Sequence, residues 1–144
     1  MTRPPVTVLA FDFGLRRIGI AIGNTLTGSA RALATIDDAR DEPRWAELSR
    51  VIKEWQPELL VVGLPVHSDG APHAMTAEAR RFAQRLAATF ALPVETADER
   101  HTTQTAQAEI KAVGGGRAAR TTRDAVAAQL ILQGWFDERP RADS

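Results

Sequence analysis

Two neighbouring segments with strand-like apolar patterns, joined by a very short linker, constrain the fold of this chain most strongly. Val6–Phe13 is apolar and rich in strand-forming residues, and in Arg17–Asn24 isoleucines alternate with glycine and alanine. This alternation has the period of a β-strand. The linker Gly14-Leu15-Arg16 has hairpin length, so the two strands should be antiparallel. Ser29–Ile36 carries a weaker strand pattern, and the chain is therefore predicted to begin with a three-stranded meander.

After the meander the apolar residues change to helical spacing. Trp45, Leu48, Ile52 and Trp55 lie on one face of a helix that ends before Pro57. The later predicted elements are strand Leu59–Val62, a loop to about Met75, a helix with apolar residues from Ala79 to Phe90, strand Val94–Ala97, a helix from about Thr102 to Val113, a glycine-rich loop over Gly114–Arg120, and a helix from about Arg123 to Asp137.

This order, βββαβαβαα, predicts an α/β fold. Strands that alternate with helices are parallel and are covered by those helices. We therefore expect a five-stranded mixed sheet of order 3-2-1-4-5 with helices on both faces. A length of 144 residues suits one domain. That domain is predicted to span residues 1–138, followed by a polar tail at 139–144.

Composition excludes several classes of site. The chain contains no cysteine, which excludes disulfide bonds, thiolate zinc sites and a cysteine nucleophile. The N-terminal apolar run, Val6–Phe11, is short and leads into Asp12, so it does not have the form of a signal peptide. No segment approaches the roughly 20 apolar residues of a membrane span. A cytoplasmic protein without a membrane partner is expected.

Three carboxylates lie at the ends of predicted elements. Asp12 is near the end of the first strand, Glu99 follows strand Val94–Ala97, and Asp124 begins the last helix. Each has an ordinary structural interpretation: an aspartate that bonds the turn at Gly14, a solvated loop residue, and a helix cap. Asp124, however, has the helical spacing that places it on the buried face of its helix.

Taken together, the three carboxylates favour a metal site. In the predicted topology the first strand is central, so the three positions can converge at one end of the sheet. Converging carboxylates repel one another unless cations lie between them, and oxygen-only ligand sets suit Mg²⁺ or Mn²⁺. Two such ions roughly 3.5–4 Å apart can promote hydrolysis of a phosphodiester.

Charge distribution adds a candidate nucleic-acid surface. Net charge is zero, but residues 1–36 and 114–124 are each basic apart from one carboxylate. Arginine matches phosphate oxygens, although a solvated role is the alternative for each residue. The candidate phosphate contacts are Arg16, Arg17, Arg100, Arg117, Arg120 and Arg123. His67, His73 and His101 lack the spacing of metal ligands, and His101 is a weak candidate for proton transfer near Glu99.

Four blocks in order make the chain resemble the YqgF proteins, also called RuvX. The blocks are Phe11–Ala21, Val61–Pro65 with Asp69-Gly70, Asp98–Thr103, and Asp124–Ala128 with Leu130–Leu132. The resemblance covers nearly the whole chain. His101 departs from the usual apolar residue of the family and His67 from its frequent asparagine.

The resemblance implies an RNase H-like fold and a nuclease whose metal-binding and catalytic residues are Asp12, Glu99 and Asp124. These proteins are described as processors of the small-subunit ribosomal RNA precursor and as Holliday junction resolvases. The expected substrate is therefore precursor 16S rRNA, processed at its 5′ end, with branched DNA as the alternative. Either a monomer or a homodimer is compatible with this function, and a resolvase would need the two sites of a dimer.

Two other functions remain open from the sequence. An actin-like or sugar-kinase-like ATP-binding domain shares the Asp-x-Gly turn of the first hairpin, but this chain provides one lobe and no second phosphate hairpin. A non-catalytic RNA-binding module would tolerate loss of its carboxylates, so substitution of Asp12 separates it from a nuclease.

Overall fold

The fold is organised around a central pair of parallel strands. The computed structural model describes residues 5–65, 74–98 and 117–138; in the last of these ranges, side chains are described only from Arg123 onward. The elements are β1 (Thr7–Phe13), β2 (Ile18–Asn24), β3 (Ser29–Ile36), α1 (Asp41–Trp55), β4 (Leu59–Leu64), α2 (Thr76–Phe90), β5 (Val94–Asp98) and α3 (Arg117–Glu138). The helix predicted over Thr102–Val113, the glycines at 114–116 and the tail at 139–144 lie outside the described residues.

The sheet has the predicted strand order, β3-β2-β1-β4-β5. β2 is antiparallel to β1 and to β3, whereas β1, β4 and β5 are mutually parallel neighbours. β1 is therefore central, because it joins the meander to the parallel half. The carboxyl ends of β1, β4 and β5 lie at one end of the sheet, which we call the site end. The β2–β3 turn lies at the other end, the far end.

Each face of the sheet has its own apolar core, as period-2 patterning requires. On one face, Leu9 and Phe11 of β1 pack with residues of α1 and α2. On the other face, Val8 and Ala10 of β1 pack with α3, whose contribution includes Ala128. β4 is buried along its whole length, as its continuous apolar run predicts. Among the described helices, none is long and apolar enough to cross a bilayer.

The last helix differs from its prediction at its start. It begins at Arg117, not at about Arg123, so the Arg117–Arg120 part of the predicted glycine-rich loop is helical. The Thr121-Thr122 pair resembles a capping motif in sequence, but Ala118, Ala119 and Arg120 favour helix and extend it toward the N-terminus. Asp124 consequently lies about two turns inside α3, and the helix-cap interpretation of Asp124 is wrong.

Candidate active site

A close approach between α3 and β2 places the backbone of Asp124 against the strand partner of Asp12. In the β1–β2 register, Asp12 is the partner of Gly19. A Cβ atom built on Gly19 would lie 1.9 Å from the backbone carbonyl oxygen of Asp124. No residue other than glycine fits there without moving α3, because that distance is far below any van der Waals contact. The backbone at Asp124 therefore rests directly on the strand residue beside Asp12.

Asp12 occupies the α3 side of the sheet. Val8 and Ala10, which precede it at strand spacing, belong to the core between β1 and α3. Asp12 continues that row and is partly buried. A carboxylate at the edge of an apolar layer is costly unless charged or polar groups compensate it. The position therefore suits a carboxylate with a functional partner.

Asp124 is paired with an arginine of the β1–β2 turn. The Nε of Arg17 donates a hydrogen bond of 2.7 Å to Oδ2 of Asp124. The two side chains are about one-quarter exposed, at 26% and 24%. This contact joins residues from opposite ends of the chain, and it fixes the orientation of the Asp124 carboxylate. Arg17, expected to contact phosphate, is thus also a partner of a candidate metal ligand.

The third predicted carboxylate, Glu99, lies outside the described residues. The strand that leads to it is described: β5 ends at Asp98, which pairs with Leu64 of β4. Ala97 packs against the core on the α3 side of the sheet. The described part of the chain contains no group of three or more potential metal-ligating side chains. The structure thus places two of the three predicted residues, Asp12 and Asp124, on either side of Gly19, and the role of all three as metal ligands stays a prediction.

The structure describes the side chains of only some of the predicted phosphate-binding arginines. Arg16 is 80% exposed, and its Nε lies 3.9 Å from Oδ1 of Asp37, the outer limit of an ion pair. Arg123 is partly buried. The backbone of Arg117 and Arg120 forms the first turn of α3, but their side chains lie outside the described residues, as does all of Arg100. His67, His73 and His101 also lie outside them.

Arg44 is a buried residue of the site end that the sequence predictions omitted. Its side chain is 7% exposed, its Nη2 donates a 2.6 Å hydrogen bond to the carbonyl oxygen of Gly14, and its guanidinium carbon lies 5.4 Å from the Phe13 ring centroid. Burial lowers the pKa of Arg44, and the charges of Asp38 and Asp41 oppose that shift. Arg44 thereby holds the β1–β2 turn two residues after Asp12.

A sequence signal for Arg44 existed. Arg44, Leu48, Val51 and Trp55 have the i, i+4, i+7, i+11 spacing of one helix face. An arginine on the apolar face of a helix needs a buried acceptor, and the accepting group here is a backbone carbonyl.

Comparison with known proteins identifies the family of the chain. A family model described as "RuvX: Holliday junction resolvase" matches residues 6–138. The chain belongs to the RuvX family. A relative from Dechloromonas aromatica is 53% identical over 132 residues, which cover 91% of this chain and 90% of the relative. A relative from Chromobacterium violaceum is 50% identical over 132 residues, which cover 90% of this chain and 96% of the relative.

Both RuvX relatives carry the name "Putative pre-16S rRNA nuclease". The predicted family and the predicted enzyme class, a hydrolase that acts on nucleic acid, are therefore confirmed.

Solved structures confirm the predicted fold. The chain is similar to RuvC of T. thermophilus in complex with a Holliday junction substrate, with a TM-score of 0.57 and 19% identity. The match covers 90% of this chain and 93% of that one. A second RuvC structure from Thermus thermophilus gives a TM-score of 0.55 at 15% identity. At these identities the similarity shows the RNase H-like fold of this RuvX chain.

Proposed function

We propose that this RuvX protein is a metal-dependent endonuclease that hydrolyses phosphodiester bonds in precursor 16S rRNA and processes its 5′ end. The observation that carries the proposal is the contact of the Asp124 backbone with Gly19, the strand partner of Asp12. It supports a site in which two carboxylates from distant parts of the chain act together. A ligand-binding role explains this arrangement better than separate structural roles do, because Asp124 is not a helix cap.

Asp12, Glu99 and Asp124 would hold Mg²⁺ or Mn²⁺ at the site end. The described residues fit such an ion, because Asp12 and Asp124 are partly buried and offer carboxylate oxygens, the ligands that these hard cations prefer. The divalent ions, when bound, supply an activated water and stabilise charge on the leaving oxygen.

The protein's own residues have separate tasks in this proposal. Arg17 orients Asp124 through the hydrogen bond from its Nε to Oδ2. Arg16, which is well exposed beside the site, binds a backbone phosphate. Further phosphates of the substrate are bound by Arg17, Arg100, Arg117, Arg120 and Arg123. Arg44 keeps the turn that carries Arg16 and Arg17 in place.

The names of the relatives favour RNA as the substrate. We place the protein in the cytoplasm, as the sequence predicts. Branched DNA is the second candidate, because the matching family model is described as a Holliday junction resolvase. A monomer suffices for cleavage of a single RNA strand, whereas resolution of a junction requires a homodimer.

Cleavage of two labelled substrates side by side tests the proposal. The substrates are a precursor 16S rRNA fragment and a four-way DNA junction, each with Mg²⁺, with Mn²⁺ and with a chelator. We expect cleavage of the RNA that requires the ion. Asp12→Asn and Asp124→Asn should each reduce the rate by more than 100-fold, because loss of a ligand exceeds the roughly 10–100-fold effect of a residue behind the ligands.

The matched control is Asp137→Asn, which removes an exposed carboxylate near the opposite end of α3 and should cleave at the wild-type rate. Cleavage of the junction alone would assign the second substrate. A wild-type rate in Asp12→Asn would overturn the metal-dependent mechanism.

A further inference from the structure

The β1–β2 turn presents an apolar side chain beside the candidate active site. Leu15 is 61% exposed, and in the described part of the chain only Leu26 is a comparably exposed large hydrophobic residue, at 77%. We propose that Leu15 is a wedge that contacts an unstacked nucleobase of the substrate next to the cleaved bond. This inference rests on the proposed nuclease function and adds to it the conformation of nucleic acid that the site accepts.

The turn that carries Leu15 is fixed at both ends. On one side, the carbonyl oxygen of Gly14 accepts the 2.6 Å hydrogen bond from buried Arg44. On the other side, Arg17 is bound to Asp124 of α3 at 2.7 Å. The turn is also closed tightly, since a Cβ atom on Gly14 would lie 2.7 Å from the carbonyl oxygen of Arg17. The backbone at Leu15 is thereby held in position, so binding a substrate needs to order only the leucine side chain and costs less entropy than ordering a mobile loop.

The position of Leu15 suits contact with a base near the reacting phosphate. Leu15 follows Asp12 by three residues, so their Cα atoms are separated by at most about 11 Å, the length of about three stacked base steps. Leucine is one of the apolar side chains that proteins insert between base steps to unstack them. A wedge at this distance would open the substrate close to the bond that the carboxylates attack.

Charge distinguishes Leu15 from Leu26. Arg16, the residue after Leu15, is 80% exposed and can hold a phosphate of the same strand. The β2–β3 turn, Thr25–Gly28, which carries Leu26 at the far end, contains no cation. Of the two exposed leucines, only Leu15 combines an apolar contact for a base with a cation for the adjoining phosphate. Leu26 therefore provides a matched control of the same residue type and similar exposure.

The test compares Leu15→Ala with Leu26→Ala on one precursor 16S rRNA fragment. The cleaved position is first mapped with the wild-type protein and Mg²⁺. 2-Aminopurine, whose fluorescence rises on unstacking, is then placed beside that position. Binding is read in the Asp12→Asn background, where the substrate stays intact. Both leucines are exposed, so both variants should unfold at the wild-type temperature.

With Leu15 present we expect the fluorescence to rise on binding, and in Leu15→Ala we expect this rise to be lost. Leu15→Ala should also cleave about fivefold to tenfold more slowly than wild type, the effect of losing a leucine that the bound base would partly bury. Leu26→Ala should match wild type in both measurements. Equal behaviour of the two variants would overturn the wedge while leaving the nuclease intact. Absence of cleavage by the wild-type protein, with any tested substrate and ion, would instead overturn the proposed function on which the wedge rests.

Discussion

The two ends of the β1–β2–β3 meander are held by different chemistry. At the far end, the side-chain amide of Gln133 in α3 holds the β2–β3 turn: it donates to the carbonyl oxygen of Gly28 at 3.0 Å and accepts from the amide of Ala30 at 3.1 Å. The one charged group of this network among the described residues, Asp137, accepts from Gln133 at 3.1 Å within α3 and is not part of the turn. At the site end, two guanidinium groups hold the β1–β2 turn, one on a backbone carbonyl and one on a carboxylate. A turn can be held by a neutral side chain, so the guanidinium contacts at the site end indicate a function beyond stability.

The largest effect should come from breaking the close approach at the site end. In Gly19→Ala the new methyl group would meet the Asp124 carbonyl oxygen at 1.9 Å, and backbone cannot yield as a flexible side chain can. We expect a loss of about 3 kcal/mol or more in the free energy of unfolding, measured with denaturant, and loss of cleavage. Gly28→Ala at the far end is the control variant. A Cβ atom there would have no atom within 4 Å, so only the positive φ of 65° should lower the free energy of unfolding, by about 1–2 kcal/mol.

If Gly28→Ala destabilises the protein as much as Gly19→Ala does, the contact between α3 and β2 is looser than described.

Divalent ions should stabilise the site end specifically. At an Mg²⁺ concentration 100 times its dissociation constant, mass action adds about 2.7 kcal/mol to the free energy of unfolding. We expect a corresponding rise in the melting temperature of the wild-type protein and of Asp137→Asn. Asp12→Asn should show no rise, because it lacks a ligand. An equal shift in all three proteins would indicate nonspecific ion binding.

Removing the side chains that hold the two turns should separate stability from activity. Arg44→Ala loses a buried, charged hydrogen-bond donor and should reduce the free energy of unfolding by about 2 kcal/mol. Gln133→Ala loses its hydrogen bonds to two backbone groups of the turn and an exposed one to Asp137, and it should cost about 1 kcal/mol. At a temperature where both variants are folded, only Arg44→Ala should slow cleavage. Slow cleavage by Gln133→Ala would show that activity follows overall stability.

The smallest effect concerns pH and the start of α1. The hydrogen bonds from Arg85 lower the pKa of Asp41 below its ordinary value of 3.8. A depressed pKa in the folded state means that the pair stabilises the protein above pH 3.8 and that this contribution is lost as the pH falls through the lowered pKa. Wild type should therefore exceed Asp41→Asn slightly in melting temperature at neutral pH, and the difference should shrink below pH 3.8 and disappear below the lowered pKa of Asp41. A difference that persists in acid would exclude the ion pair as its cause.

The sequence predicted most of the fold because the apolar patterns are local. The alternation of Ile18, Ile20 and Ile22 with small residues gave β2, and the unbroken apolar run of Leu59–Val62 gave a strand buried on both faces. The strand order then followed from the rules that hairpin-linked strands are antiparallel and that strands joined through a helix are parallel. The predicted start of α3 was wrong because Thr121-Thr122 resembles a helix cap. The residues before this pair favour helix, and the helix therefore begins earlier, at Arg117.

The site was predicted less completely, for a physical reason. The four sequence blocks indicated the family and the carboxylates, and the family is confirmed. The contact of Gly19 with Asp124 joins residues far apart in the chain, and no local pattern specifies it. Arg44 could have been found from its helical spacing, but its acceptor, the Gly14 carbonyl, is visible only in three dimensions. Glu99 stays a prediction.

The bare backbone at Gly19 has a consequence for how activity appears during folding. The meander can form through local contacts, but Asp124 reaches Asp12 only when α3 packs on β2 at Gly19. The distance between the two carboxylates is therefore set by the seating of a helix and not by a loop. Nuclease activity should appear together with the burial of Trp135, which lies on the same helix and reports its seating. Enzymatic rate and the fluorescence of Trp135, separated from that of Trp45 and Trp55 in α1, would then be two readings of a single molecular event.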